Sequence, residues 1–287
     1  MVKYMKVYSI KGIAFKKELD QDALIIRNDL ARPVVVICDG HGNKLGREFA
    51  SKIAKIGIEA IPKDVEITRE YADIISQNFV ELIGDRYESL YEEYKGCGTT
   101  FLMVIFESDY RRYIVVKLGD SYVMNIPEDF SGNGSEYAFD MEKVDKKWYN
   151  SMHPIRLWRQ FLGLSDEEKE RLNEGGIGWV NYCMERFGAN FGVLGLAFRR
   201  DNVAISTMGV EPDLVNPDED VRKCLSKFIV SDCLEVPDGH MVVISSDGLP
   251  IHREEMWEHL RRGTLSEYMS EKRGETDDCT AVVIYPD

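Results

Sequence analysis

No stretch of this chain approaches the ~18 consecutive apolar residues of a membrane span. Its first residues, Met1 to Ile10, alternate apolar and polar without the apolar block of a signal peptide. A cytoplasmic protein with no membrane association is expected. Basic residues are in deficit: 36 Lys and Arg stand against 50 Asp and Glu, a formal charge of −14 over 287 residues, and no long basic run occurs. The average surface therefore repels a nucleic-acid backbone, and no nucleic-acid partner is expected. The same charge repels phosphorylated ligands, so a phosphate site here requires bound cations or placed Lys and Arg to reverse the local field. No C-x-x-C spacing joins Cys38, Cys97, Cys183, Cys224, Cys233 and Cys279, most of which lie in apolar context. Buried thiols are expected rather than a disulfide or zinc framework. Internal repeats and low-complexity segments are also lacking.

What is present suffices for a core. With 44% hydrophobic and 30% charged residues, the chain is expected to fold as one large domain or one domain carrying an insertion. Short β-type runs recur at Val2 to Ile10, Asp22 to Asn28, Pro33 to Cys38, Thr99 to Phe106, Tyr113 to Leu118, Val203 to Thr207, His240 to Ser245 and Thr280 to Tyr285. Several read as strands buried on both faces. Helical spacing aligns Leu45, Phe49, Ile53 and Ile56 within Lys44 to Ile58, and Ile74, Ile75, Phe79, Leu82, Ile83, Tyr87 and Leu90 within Glu66 to Tyr94. Short connections, Asn28 to Arg32 and Ser108-Asp109, favour antiparallel sheets over a doubly wound parallel sheet. From about Pro127 to Phe198 the character changes, with Gly/Ser/Asn punctuation at Ser131 to Ser135 and helical patterns at Ile155 to Leu162 and Asp166 to Asn173. This stretch looks inserted, either as a packing subdomain or as a lid or partner-recognition module. Within it, Trp158, Phe161, Leu162 and Leu164 read as core rather than as a partner groove.

Three acidic dipeptides sit at the edges of the apolar runs: Asp39-Gly40 after Val34 to Cys38, Asp247-Gly248 after Met241 to Ser246, and Asp277-Asp278 before Cys279 to Ile284. Carboxylates converging at strand ends are the usual way to hold hard divalent cations, and point to metal-dependent hydrolysis. Asp39-Gly40-His41-Gly42 adds a carboxylate able to bridge two cations, a glycine carbonyl, and a histidine whose ordinary pKa of about 6.5 suits proton donation near neutrality. Each dipeptide alone is common turn chemistry. Their joint occurrence, with Gly98-Thr99-Thr100 and Gly119-Asp120-Ser121 between them, is not. Two other patterns carry less. The glycines from Gly40 to Gly46 miss a dinucleotide fingerprint by one residue, and Asp129 to Asp140 departs from a calcium loop at Glu136.

Taken in order, Lys17 to Ala23, Asp39 to Gly42, Gly98 to Thr100, Leu118 to Ser121, Ile205 to Asp213, Ser246 to Leu249 and Asp277 to Thr280 resemble the PPM/PP2C group of metal-dependent Ser/Thr protein phosphatases. The resemblance spans most of the chain outside the insert. It implies an α+β fold, a PP2C-like four-layer α-β-β-α sandwich of two antiparallel sheets flanked by helices, with a variable flap at about 127–198. It also implies two Mg²⁺ or Mn²⁺ ions and hydrolysis of phosphoserine or phosphothreonine by in-line attack of a metal-activated water. By the same resemblance Asp39 bridges the ions, Asp247 and Asp277 complete one metal shell, and the Gly40 carbonyl joins the other. Asp120 matches a third, weaker metal position, Asp22 orients water, and His41 is the general acid.

The pattern is departed from in places. Lys17 replaces an arginine that grips the phosphate, putting a point charge where a fork stood. Gln21 replaces a glutamate, so weaker binding of the second ion is expected. Pro250-Ile251-His252 stands where an aromatic and an acid are common. The implied partners are a phosphoprotein substrate and a cognate protein kinase. Two other functions stay open: a catalytically weak or inactive signalling scaffold of the same fold, and a phosphatase of small phosphorylated metabolites.

Overall fold

The computed structural model describes residues 2–10, 20–28, 32–42, 44–94, 97–119, 121–130, 132, 134–137, 165–173, 196–197, 221–226, 229–251, 253–272 and 278–286. Its strands are β1 (Val2–Ile10), β2 (Asp22–Arg27), β3 (Val34–Gly42), β4 (Cys97–Thr99), β5 (Phe101–Phe106), β6 (Arg112–Leu118), β7 (Tyr122–Pro127), β8 (Leu196–Ala197), β9 (Val230–Glu235), β10 (His240–Ser245) and β11 (Cys279–Pro286). The helices are α1 (Gly46–Glu59), α2 (Arg69–Tyr94), α3 (Asp166–Asn173), α4 (Val221–Ser226), α5 (Glu254–Arg262) and α6 (Leu265–Glu271), with a 3-10 turn at Gly134–Tyr137. No helix among the described residues is long and apolar enough to cross a membrane.

The strands form two antiparallel sheets. One runs β1-β11-β10-β7; the other runs β8-β4-β3-β5-β6-β9, with β2 paired to β3. Because side chains alternate along a strand, each apolar run feeds two cores at once. Val35, Ile37, Leu102, Val104, Val115, Val242, Ile244, Val282 and Ile284 meet between the sheets. Their neighbours Val34, Val36, Met103, Ile105, Ile114 and Val116 face the other way, onto α1 and α2. On the far side of the smaller sheet, Met241, Val243, Ala281 and Val283 pack against Met256, Trp257 and Leu260 of α5 and Leu265 and Met269 of α6. The result is the four-layer α-β-β-α sandwich, and it explains why runs such as Val34 to Ile37 lack alternation: both of their faces are dry.

The helices reach the sheets through small residues and rings. At Gly57 of α1, a Cβ would stand 2.5 Å from the Phe101 ring, so the glycine permits α1 to lie close on β5. Phe79 of α2 stacks on that same ring with centroids 4.0 Å apart. The sequence pattern places the start of α2 at Glu66, whereas the helix begins at Arg69. Thr68 is the reason: its Oγ1 accepts the Tyr71 N–H (3.3 Å) and its carbonyl accepts the Ala72 N–H (3.1 Å), which caps the helix there. Pro250 and Ile251 are buried, and the Ile251 carbonyl accepts both the Trp257 indole N–H (2.9 Å) and the Gly134 N–H (3.1 Å). This departure from the family pattern thus serves packing under the smaller sheet.

The run expected as one strand from Thr99 to Phe106 is two, β4 and β5, broken at Thr100. β3 is longer than expected, continuing through Gly42 because Gly40, His41 and Gly42 pair with Thr99, Gly98 and Cys97 of β4. β7, β8 and β9, and helices α4 to α6, were not among the expected elements. α3 coincides with the expected Asp166 to Asn173. The patterns at Ile155 to Leu162, with its Trp158 group, and at Val203 to Thr207 lie outside the described residues, as does most of the 127–198 stretch. Cys38, Cys97 and Cys279 are buried free thiols and Cys233 is a half-buried one.

Candidate active site

The acidic positions gather where the two sheets meet at one end. Asp22 opens β2 and lies directly across from Asp39 of β3. Such cross-strand positions bring side chains to one face about 5 Å apart. Next to them the backbone is crowded: the Gly40 N–H donates to the Gln21 carbonyl (3.2 Å), and a Cβ on Gly40 would stand 2.5 Å from that oxygen and 2.6 Å from the Gly46 carbonyl. Only glycine allows this approach, and it brings the start of α1 against the end of β3.

Thr100 leaves the ladder in order to hold Asp39. Its N–H donates to the Asp39 carbonyl (2.9 Å), and its Oγ1 accepts the Asp39 N–H (2.9 Å) while bonded to the buried Ser121 hydroxyl (2.8 Å). The second sheet contributes across the gap. Ser246, just past β10, donates from Oγ to Asp22 Oδ2 (2.8 Å), accepts the Thr280 N–H on that Oγ (3.0 Å), and donates its own N–H to the Thr280 carbonyl (2.9 Å). Asp278, just before β11, accepts the Gln21 N–H (3.1 Å), and Asp20 accepts the Asp22 N–H (2.9 Å). Asp247 follows Ser246 and is half-buried. Five carboxylates, Asp20, Asp22, Asp39, Asp247 and Asp278, therefore come together, with the bonds from Ser246 to Asp22 and from Gln21 to Asp278 running between the sheets.

These carboxylates are costly where they stand. Asp22, Asp39 and Asp278 are 3%, 7% and 1% exposed. Burial pushes Asp22 up to about 6, and the nearby charges of Asp20 and Asp278 add to the rise, against the hydrogen bonds from Ser246 and Thr280. Asp22 Oδ1 accepts no hydrogen bond from any described residue. The Cys38 and Cys279 thiols beside the cluster are pushed well above their ordinary range, first by burial and then by Asp22 and the other carboxylates, so they stay protonated and inert. Buried like charges with an orphaned oxygen are a poor way to stabilise a fold and a suitable way to receive a divalent cation. The donors are all oxygens, so the residues fit hard cations such as Mg²⁺ or Mn²⁺. Among the described residues, however, no group of three acidic, thiol or imidazole side chains closes a metal shell by itself.

Of the positions singled out in the sequence, Asp22, Asp39, Gly40 and Asp247 come to this end of the sandwich. For His41 the backbone is described, paired with Gly98. Lys17, Asp120 and Asp277 lie outside the described residues. Sequence reasoning assigned no role to Thr100, Ser121, Ser246, Asp278 or Asp20. All five stand within the quoted motifs, but a hydroxyl that holds a carboxylate looks like any other Ser or Thr in a linear sequence. A cleft of about 330 Å³ opens beside the cluster, with Asp20, Asp22 and Thr280 on one side and Arg47, Ser51 and Lys55 of α1 on the other.

No family model matches the sequence, and no curated protein matches it. Solved structures do match over the whole chain. The catalytic domain of the serine/threonine protein phosphatase PstP, in complex with two manganese ions, is 14% identical with a TM-score of 0.56, covering 98% of this chain and 97% of that one. Stp1 from Staphylococcus aureus is 13% identical with a TM-score of 0.57, covering 100% and 96%. The PPM Ser-Thr phosphatase MsPP from Mycobacterium smegmatis, in complex with cacodylate, is 17% identical with a TM-score of 0.51, covering 100% and 99%. The chain has the PPM phosphatase fold. At these identities the likeness establishes the architecture. Within the PPM fold, the acidic end described above lies at the junction of the two sheets.

Proposed function

We propose that this protein hydrolyses phosphoserine and phosphothreonine monoesters in proteins, using divalent cations held by the acidic end of the sandwich. The observation that supports this most directly is the convergence of Asp22 and Asp39 from one sheet with Asp278 and the Ser246-Asp247 turn from the other, with an orphaned carboxylate oxygen in a buried setting. Asp39, Asp247, Asp277 and the Gly40 carbonyl would hold two Mg²⁺ or Mn²⁺ ions, with Asp120 at a third. When bound, the ions would lower the pKa of water and neutralise phosphoryl oxygens.

The chain's own groups do the rest. Asp22, whose pKa is raised to about 6, would orient a water and accept its hydrogen bond. Thr100 and Ser121 hold the Asp39 main chain against displacement by incoming charge. Lys17 would add positive charge at the phosphate, and His41 would donate a proton to the departing alkoxide. The phosphatase acts on a phosphoprotein made by a protein kinase. The decisive experiment follows p-nitrophenyl phosphate and a phosphothreonine peptide with wild-type and Asp39→Asn protein, in Mn²⁺, Mg²⁺ or EDTA. Cation-dependent turnover that the substitution removes is expected. Folded wild type that turns over neither compound would mark a binding scaffold instead, and a preference for small esters over the peptide would mark a metabolite phosphatase.

A further inference from the structure

The cleft beside the carboxylates has a second wall that phosphate hydrolysis does not use. Arg47, Ser51 and Lys55 are spaced four apart on α1, so they share one helix face, and all three line the cleft together with Asp20, Asp22 and Ile25. Arg47 and Lys55 are exposed and make no hydrogen bond or ion pair with a described residue. Lys44 and Lys63 are likewise exposed and unpaired among the described residues, whereas arginines elsewhere have partners. Arg69 pairs with Asp73 and Asp232, Arg86 with Glu59, Arg111 with Asp238, and Arg222 with Glu81 and Asp85. In a chain with 50 acidic residues, these two cations make the helix wall of the cleft positive, opposite Asp20 and Asp22 on its other wall.

The other boundary of the cleft is β2. It pairs with β3 on one edge, and no described strand pairs with the other. β2 and α1 both start at the acidic end, Asp22 beside Asp39 and Gly46 against Gly40, and both run away from it. Arg47 therefore lies near the reaction site and Lys55 farther out. Eight helical residues rise about 12 Å, a span matched by about four residues of extended chain.

We infer that this cleft binds an acidic segment flanking the phosphorylated residue of the substrate, with one carboxylate at Arg47 and a second about four residues farther on at Lys55. An extended peptide fits the place between an unpaired strand edge and a basic helix face. Its negative charge supplies the partners that Arg47 and Lys55 lack within the fold.

The inference rests on the phosphatase reading, and its test keeps the two apart. Phosphothreonine peptides that differ only in flanking Glu or Gln are compared in Mn²⁺, with wild type and with Arg47→Glu/Lys55→Glu, and the ratio of their kcat/KM values is read. Exposed ion pairs of this kind predict a ratio of about five- to tenfold in favour of Glu for wild type, shrinking as salt is raised and falling to one or below after charge reversal. A ratio near one in wild type, or one that survives reversal, overturns the inference. Melting temperatures establish that the variant is folded, and Arg47→Gln/Lys55→Gln replaces it if it is not. The same peptides with a hydrolysis-resistant phosphonate in place of phosphothreonine are titrated by fluorescence anisotropy in the same buffer. If no peptide is turned over, the phosphatase reading fails, yet a Glu-over-Gln binding preference that reversal abolishes still upholds the cleft. Equal binding of both peptides overturns it even where both are hydrolysed.

Discussion

The two ends of the sandwich solve the same problem, joining one sheet to the other through polar groups, in opposite ways. At the end away from the carboxylates, the Tyr113 hydroxyl of β6 donates to Asn125 Oδ1 of β7 (3.0 Å), and Asn125 Nδ2 donates to the Glu235 carbonyl of β9 (2.8 Å). Every group in that link is neutral, and burial pushes the Tyr113 phenol up so that it stays so. At the other end the joints are Ser246 to Asp22 and Gln21 to Asp278, both to carboxylates that burial disfavours. A satisfied neutral link stabilises modestly and asks for nothing further. A buried anionic link is destabilising until something positive arrives. The contrast separates an end whose link stabilises the fold from the end to which the proposed cations are assigned.

Substitutions sharpen that contrast, beginning with the largest effect. Asp39→Asn should lower cation-dependent turnover of p-nitrophenyl phosphate by on the order of 10³-fold, while circular dichroism and melting show an intact fold. Thr100→Val removes the hydroxyl that accepts the buried Asp39 N–H. The Mn²⁺ concentration for half-maximal activity should rise about 10–100-fold, and the variant should lose about 1–3 kcal/mol of stability in a denaturant titration because an N–H is left unpaired.

Asp22→Asn tests the charge cost directly. The Asp22 pKa is about 6 in the fold against an ordinary 3.8, so the folded state holds its proton more tightly. The stabilising contribution is complete below pH ~4 and is lost as pH rises through ~6. In EDTA the variant should therefore gain on wild type between these pH values, by about 1–3 kcal/mol at pH 7. Parallel stability profiles for the two proteins would remove the electrostatic account. The smallest effect belongs to the neutral end. Tyr113→Phe should cost about 1 kcal/mol of stability and leave turnover and Mn²⁺ response as they are; a change in either would show that the ends are not independent.

How much could be read in advance depended on how locally each feature is encoded. The two-sided burial of β3, β5, β6, β10 and β11 was legible because every second residue faces a different core and both are apolar. α1 and α2 were legible from their spacing, though the Thr68 cap shortened α2 by three residues relative to the expected Glu66 start. α5 carried readable signals that were passed over: Glu254 and Glu255 in its first turn, His259, Arg261 and Arg262 in its last, and Gly263 at φ 74 as its cap. β9 was harder, since its Ser231, Asp232 and Glu235 mask an edge strand with polar residues. In the site, the carboxylates were legible as types, while the roles of Thr100, Ser121 and Ser246 were not.

By itself the sequence determined which segments become buried strands and amphipathic helices, and which carboxylates stand at their ends, because those properties follow from spacing within a few residues. Only the tertiary structure decided that Ser246 would hold Asp22 from 224 residues away, that Thr100 would leave its strand to hold Asp39, and that Arg47 and Lys55 would face the acidic cleft without partners. Those outcomes depend on the register of β2 on β3 and the packing of one sheet on the other. Both are set by burial summed over the whole core, which no local pattern records.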